Sequence, residues 1–174
     1  MAAQNSMNEV VEMVFGNKKI FAIEYVGCGD GTIEANIFVA GQNITPNDNV
    51  HYDQYLVHGA IGKTITRFSE KVNWQEHECE LEGDSVSEKF ALLWNSMFWL
   101  KYEVFNWAPC TREYSCAVVA HLDKLYLCCV KNDEENVVYA TPFQPLSLVQ
   151  VLLDSQRYIV EQSKNPCLKL EIDT

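Results

Sequence analysis

Residues 14–44, VFGNKKIFAIEYVGCGDGTIEANIFVAGQNI, place two apolar runs on either side of three alternating glycines. Between Lys18 and Val26, Phe21, Ile23 and Tyr25 fall on one side of an extended chain, with Ile20, Ala22 and Val26 on the other. Ile33, Ala35, Ile37 and Val39 repeat that two-residue period from Thr32 to Val39, so both runs read as strands. Gly27, Gly29 and Gly31 are spaced G-x-G-x-G, whereas a dinucleotide fingerprint is G-x-G-x-x-G opening a helix whose N-terminus holds the pyrophosphate. A strand follows here. The glycines are therefore the bend of a hairpin, where glycine takes positive φ without a steric penalty. Ala40-Gly41-Gln42-Asn43 is a second turn, leading into a short third strand that ends by Pro46.

Outward from this hairpin the chain keeps laying strands beside one another. Asp53 to Val72 carries Val57, Ile61, Ile65, Phe68 and Val72 at helical spacing, with Asp53 placed to accept first-turn amides. Gly59 and Gly62 weaken this helix by about 1 kcal/mol each relative to Ala. WQEHECELEGD reads as a polar connector or edge strand, and SVSEKFALLWNSM as a helix opened by a Ser85/Glu88 capping box. FWLKYEVF, residues 98–105, alternates as a strand would. Tyr114 to His121 and Lys124 to Lys131 form a second hairpin around Leu122-Asp123, and a further strand spans Asn136 to Thr141 before Pro142 and Pro145 stop the pattern. Leu146 to Ser163 is a helix ended by Asn165-Pro166, and CLKLEI suits a final strand. No repeat or linker divides the chain. The expectation is a single α+β domain, mainly antiparallel β-sheet packed with two to three α-helices, over residues 14–174, with 1–13 as an N-terminal extension.

Composition narrows the partners. The 174 residues are 48% hydrophobic, enough for a real core, and 13 Lys plus Arg against 24 Asp plus Glu give a formal charge of -11. Such a surface repels phosphate backbones and anionic headgroups, which disfavours nucleic acid and membrane, whereas a basic protein partner is favoured. No run reaches the roughly 20 apolar residues of a membrane span, and MAAQNSMNEVVEM lacks the basic and apolar regions of a signal peptide, so the expected location is cytoplasmic. Seven cysteines without CxxC spacing, several inside apolar runs, read as reduced, mostly buried thiols.

Catalytic signatures are lacking. Cys110, Cys116, His121 and Asp123 supply the nominal parts of a thiol hydrolase, but Cys116 and His121 are five positions apart and would face opposite sides of a strand. Cys110, beside Pro109, is the thiol expected to be most exposed. His77-Glu78-Cys79 and the pair His51 and His58 lack a second ligand pair at zinc-site spacing. No cofactor, metal site or catalytic residue is assigned. An enzyme using Cys110 or a histidine is retained as the alternative, as is an acidic subunit of another complex.

Two features favour binding. In EHECELEGD, Glu76, Glu78, Glu80 and Glu82 alternate, so an extended backbone would project four carboxylates from one face; a solvated edge is the other reading. The acidic turn Asp133-Glu134-Glu135 carries the same two readings. In LLWNSMFWLKYEVFNW, a strand over 98–105 would put Trp99, Lys101, Glu103 and Phe105 on one face, making Trp99 and Glu103 interface candidates against the competing use of aromatics in the core.

VFGNKKIFAIEY, residues 14–25, resembles the start of the immunity protein 42 family of bacterial polymorphic-toxin and contact-dependent inhibition systems. There a short I/V-F-G-N/D segment leads into an F-A-I-E/Q-F/Y strand. The resemblance implies a cytosolic protein that binds and neutralises a cognate toxin domain by stoichiometric blocking, with no catalytic residues. Toxin domains that attack nucleic acids are basic as a rule because they approach phosphate, so an acidic partner is suited to occupy the same surface.

Overall fold

In the computed structural model the described residues, 13–29, 31–45, 51–69, 74–76, 81–107, 110–134 and 137–162, form two antiparallel sheets and four helices. The first sheet comprises β1 (Met13–Asn17), β2 (Phe21–Gly29), β3 (Thr32–Val39), β4 (Gln42–Asn43) and β5 (His51–Asp53). Its order is β1-β2-β3-β4, with β5 also pairing on β3. Strands β2 and β3 pair as the alternation requires, Ile23 opposite Ile37 and Tyr25 opposite Ala35. Of the three glycines, Gly31 takes φ of 81° at the bend and Gly27 sits at a register shift in β2. The turn after β3 uses Ala40 and Gly41, both at positive φ, which matches the twist of a two-residue hairpin.

The second sheet is β6 (Glu103–Val104), β7 (Tyr114–His121), β8 (Lys124–Lys131) and β9 (Tyr139–Pro142), in that order. Leu122 and Asp123 form its β7–β8 turn with φ of 48° and 59°. Val118 opposes Leu127, and Cys116 to Ala120 and Leu127 to Val130 are buried in succession rather than alternately. That pattern marks a ribbon covered on both faces.

Helices α1 (Gln54–Ser69) and α4 (Pro145–Gln162) pack together over the first sheet, with α4 also against β1 and β2. Tyr25 and Ser155 share a buried hydroxyl–hydroxyl bond there, and Tyr158 stacks on Tyr25 at 5.0 Å. Helix α2 (Val86–Trp94) and the single turn α3 (Trp99–Tyr102) pack on β7. The sheets meet where Phe21 stacks on Phe105 at 4.8 Å and the Cys129 thiol reaches the Val39 carbonyl at 3.3 Å. On the outer face of the first sheet, burial alone would raise the Glu24 carboxyl, but Lys18 and Asn36 hydrogen bonds bring it below its ordinary value.

The expected α+β class holds, as do β2–β3, β7–β8, α1, α2 and α4. The Ser85 capping box is formed in full: the Glu88 amide donates to Ser85 Oγ, and Glu88 Oε2 accepts from the Ser85 amide. Asp53 closes β5, and its Oδ1 accepts the Leu56 amide at 3.2 Å as expected. The strand expected over 98–105 is overturned. The Phe98 amide donates to the Ser96 hydroxyl and the Trp99 amide to the Ser96 carbonyl, bending the chain into α3, so only Glu103–Val104 pair with β7. Two further differences are small: the strand expected from Asn136 to Thr141 is paired from Tyr139 and stops at Pro142, opposite Tyr126, and β1 and β5 are strands where none was expected. The final strand expected over CLKLEI and residues 1–12 of the extension expected over 1–13 lie outside the described residues, while Met13 opens β1.

Candidate partner interface

Folding engages several of the acidic side chains nominated from the sequence. Glu76 sits in a turn after α1 and pairs with Lys101 of α3, and that hydrogen bond holds the ammonium above its ordinary pKa. Asp133 and Glu134 lie at the end of β8, both within ion-pair reach of Lys131, at 3.4 and 3.5 Å. This is an acidic turn satisfied by its own strand. Glu82 is exposed just before α2. Glu78, Glu80 and Glu135 lie outside the described residues, so the four-carboxylate stripe has only its two ends in view.

Trp99 and Glu103 are not strand neighbours. Trp99 is half-buried in α3, stacked on Trp94 at 5.4 Å and met edge-on by Phe90 at 5.8 Å. Glu103 begins β6, where its Oε1 accepts from Asn106 Nδ2 at 3.3 Å. Phe105, expected to share their face, is core instead, 3% exposed and held at φ of 57°, a conformation that costs a bulky residue roughly 1–2 kcal/mol. The bend is held by Thr111, whose hydroxyl donates to the Phe105 carbonyl at 2.7 Å and accepts the Trp107 amide at 3.0 Å. Trp107 is thereby turned inward, and its Nε1 donates to Thr64 of α1 at 2.9 Å.

One turn of helix cannot stabilise itself, so α3 depends on what holds it. Arg67 of α1 does so: its Nη2 donates to the Leu100 carbonyl at 2.8 Å and to the Lys101 carbonyl, satisfying acceptors that a short helix leaves open. The same arginine lines a cleft of about 800 Å³ between α1, residues 103–107 and Cys110. Lys63, Glu103 and Asn106 form its polar wall, and Ile37, Val57 and Phe105 contribute apolar surface.

The chemistry within this cleft is weak. Cys110 lines it half-buried, and burial pushes its thiol up to about 11, opposite to the lowered pKa of an activated nucleophile. Cys116 and Cys128 are raised further by burial, and Cys129 is buried beside them. Among the described residues no three His, Cys, Asp or Glu side chains converge as metal ligands, and no helix is long and apolar enough to cross a membrane.

What the sequence reading missed is the exposed apolar surface beside Trp99. Met97 is 90% exposed and Leu100 75% exposed, around a tryptophan pair whose outer edges are half-covered. Alternation over 98–105 groups Leu100 with Phe98, Tyr102 and Val104, the more uniformly apolar face of the expected strand. The signal available was Asn95-Ser96, a side-chain capping pair that interrupts any strand before residue 98.

Neither a family model nor a curated protein sequence matches the chain. Among solved structures it is similar to CdiI from Burkholderia dolosa AUO158, at 14% identity and a TM-score of 0.51, over 87% of this chain and 100% of that one. At that identity the likeness shows a shared fold, extending over almost the whole of both chains.

Proposed function

We propose that this chain is a cytosolic immunity protein that binds a cognate bacterial toxin domain and neutralises it by stoichiometric blocking. The observation that carries this reading is the fold shared with CdiI, a contact-dependent inhibition immunity protein, over 87% of the chain. The resemblance of residues 14–25 to immunity protein 42 supports the same class from the sequence side. Net charge of -11 suits a basic toxin domain, such as one that attacks nucleic acid, because opposite fields speed encounter and reject wrong partners. The raised thiol of Cys110 weighs against the alternative of a thiol enzyme.

Co-expression supplies the test. A C-terminal toxin domain encoded directly upstream of this chain should arrest growth alone, and this chain should restore growth and co-purify with the domain at equal stoichiometry. Persistent arrest, with no complex on gel filtration, would reject the reading.

A further inference from the structure

Apolar side chains left uncovered by folding gather where α2 runs into α3. Leu92 is 44% exposed, and Met97 and Leu100 more so. Their support is stiff: Trp94 stacks on Trp99, and Phe90, itself buried, meets both rings edge-on at 5.7 and 5.8 Å. Aromatic packing of this kind keeps a surface in one shape, which lowers the entropy lost on binding.

The unpaired charge around the surface is acidic among the described residues. On α2 the exposed positions Glu88, Ala91, Leu92 and Asn95 follow three- and four-residue spacing, so a carboxylate stands one turn before Leu92 on the same stripe. Glu82 and Asp84 precede that stripe, both exposed and neither paired with a cation among the described residues. The cations of these elements and of α1 are engaged or buried: Lys101 of α3 pairs with Glu76, Lys89 of α2 is 6% exposed, and Arg67 of α1 binds two carbonyls of α3.

Resting on the immunity reading, we propose that the α2–α3 surface is the toxin-docking face, taking an apolar side chain of the toxin against Met97 and Leu100 while lysines or arginines around it meet Glu82, Asp84 and Glu88. Charge complementarity selects this occupant. A second copy would set two acidic rims against each other, and an anionic lipid surface would meet the same repulsion. An apolar centre with a charged rim is also how binding energy is distributed in protein interfaces.

The probe is the toxin domain encoded directly upstream, titrated by calorimetry with the full chain and its variants. Met97→Asp combined with Leu100→Asp should weaken binding at least thirtyfold without lowering Tm, since both side chains lie in solvent. Glu82→Gln with Asp84→Asn should weaken binding severalfold at low salt and flatten its salt dependence. Leu146→Asp, an equally exposed leucine at the start of α4, should bind as the parent does. Full affinity in the Met97/Leu100 variant overturns this surface while leaving the immunity role standing. Absence of binding by the parent chain overturns both. Sedimentation of the parent alone should give a monomer; a dimer dissolved by the Met97/Leu100 substitutions would make the surface a self-association face and reject the proposal.

Discussion

The β7–β8 hairpin and the α2–α3 segment use the same kinds of side chain to opposite ends. In the hairpin, Cys116 to Ala120 and Leu127 to Val130 disappear into the core on both faces, and the two strands pair without interruption from Tyr114↔Lys131 to His121↔Lys124. In α2–α3, polar bonds from Ser85, Glu88, Ser96 and Arg67 fix the backbone, while Leu92, Met97 and Leu100 remain in solvent. One region derives its shape from dry packing. The other adds caps and a long-range arginine to its aromatic packing, and leaves Leu92, Met97 and Leu100 uncovered.

Substitutions can break this contrast at several depths. Leu127→Ala, at a fully buried position, should lose about 2–5 kcal/mol in urea denaturation, from lost transfer energy plus the cavity it leaves. A loss below about 1 kcal/mol would show the hairpin to be far less tightly packed. Trp107→Phe removes the donor to Thr64 and should cost about 1–3 kcal/mol, measured the same way. Ser85→Ala takes away the cap of α2 and should cost about 1 kcal/mol, with fraying visible in the amides of residues 86–88. Met97→Gln should sit within about 0.5 kcal/mol of the parent, because nothing covers that side chain. A larger loss there would mean that Met97 packs internally and would remove it from any interface.

The contrast also explains what was legible beforehand. Strands β2 and β3 announce themselves through Phe21, Ile23, Tyr25 and Ile33, Ala35, Ile37, Val39, a local period that survives into the structure unchanged. Ser85 and Glu88 predict α2 because a capping box is complete within four residues. Residues 98–105 mislead for the converse reason. Their alternation is real, but the conformation is decided by Arg67, more than thirty positions away, and by the Ser96 hydroxyl, which outcompete a weak two-residue period. β1 escapes notice because its five residues are mostly exposed and are recruited only by pairing with β2. As for the candidate interface, Trp99 was nominated by its residue type, whereas Met97 and Leu100 become distinctive only when their exposure is known. Glu76, Asp133 and Glu134 looked available in sequence, and Lys101 and Lys131 take them up in space.

The Arg67 clasp sets a boundary inside the molecule's cooperativity. A one-turn helix whose last carbonyls depend on one guanidinium can open by itself despite its ring packing, exchanging its amide hydrogens through a sub-global fluctuation while both hairpins stay shut. Amides from Trp99 to Tyr102 should therefore exchange faster than those of Val118 and Leu127, and Arg67→Met should speed the first group at least tenfold with little change in the second. Equal protection across both groups would mean that α3 unfolds only with the whole chain.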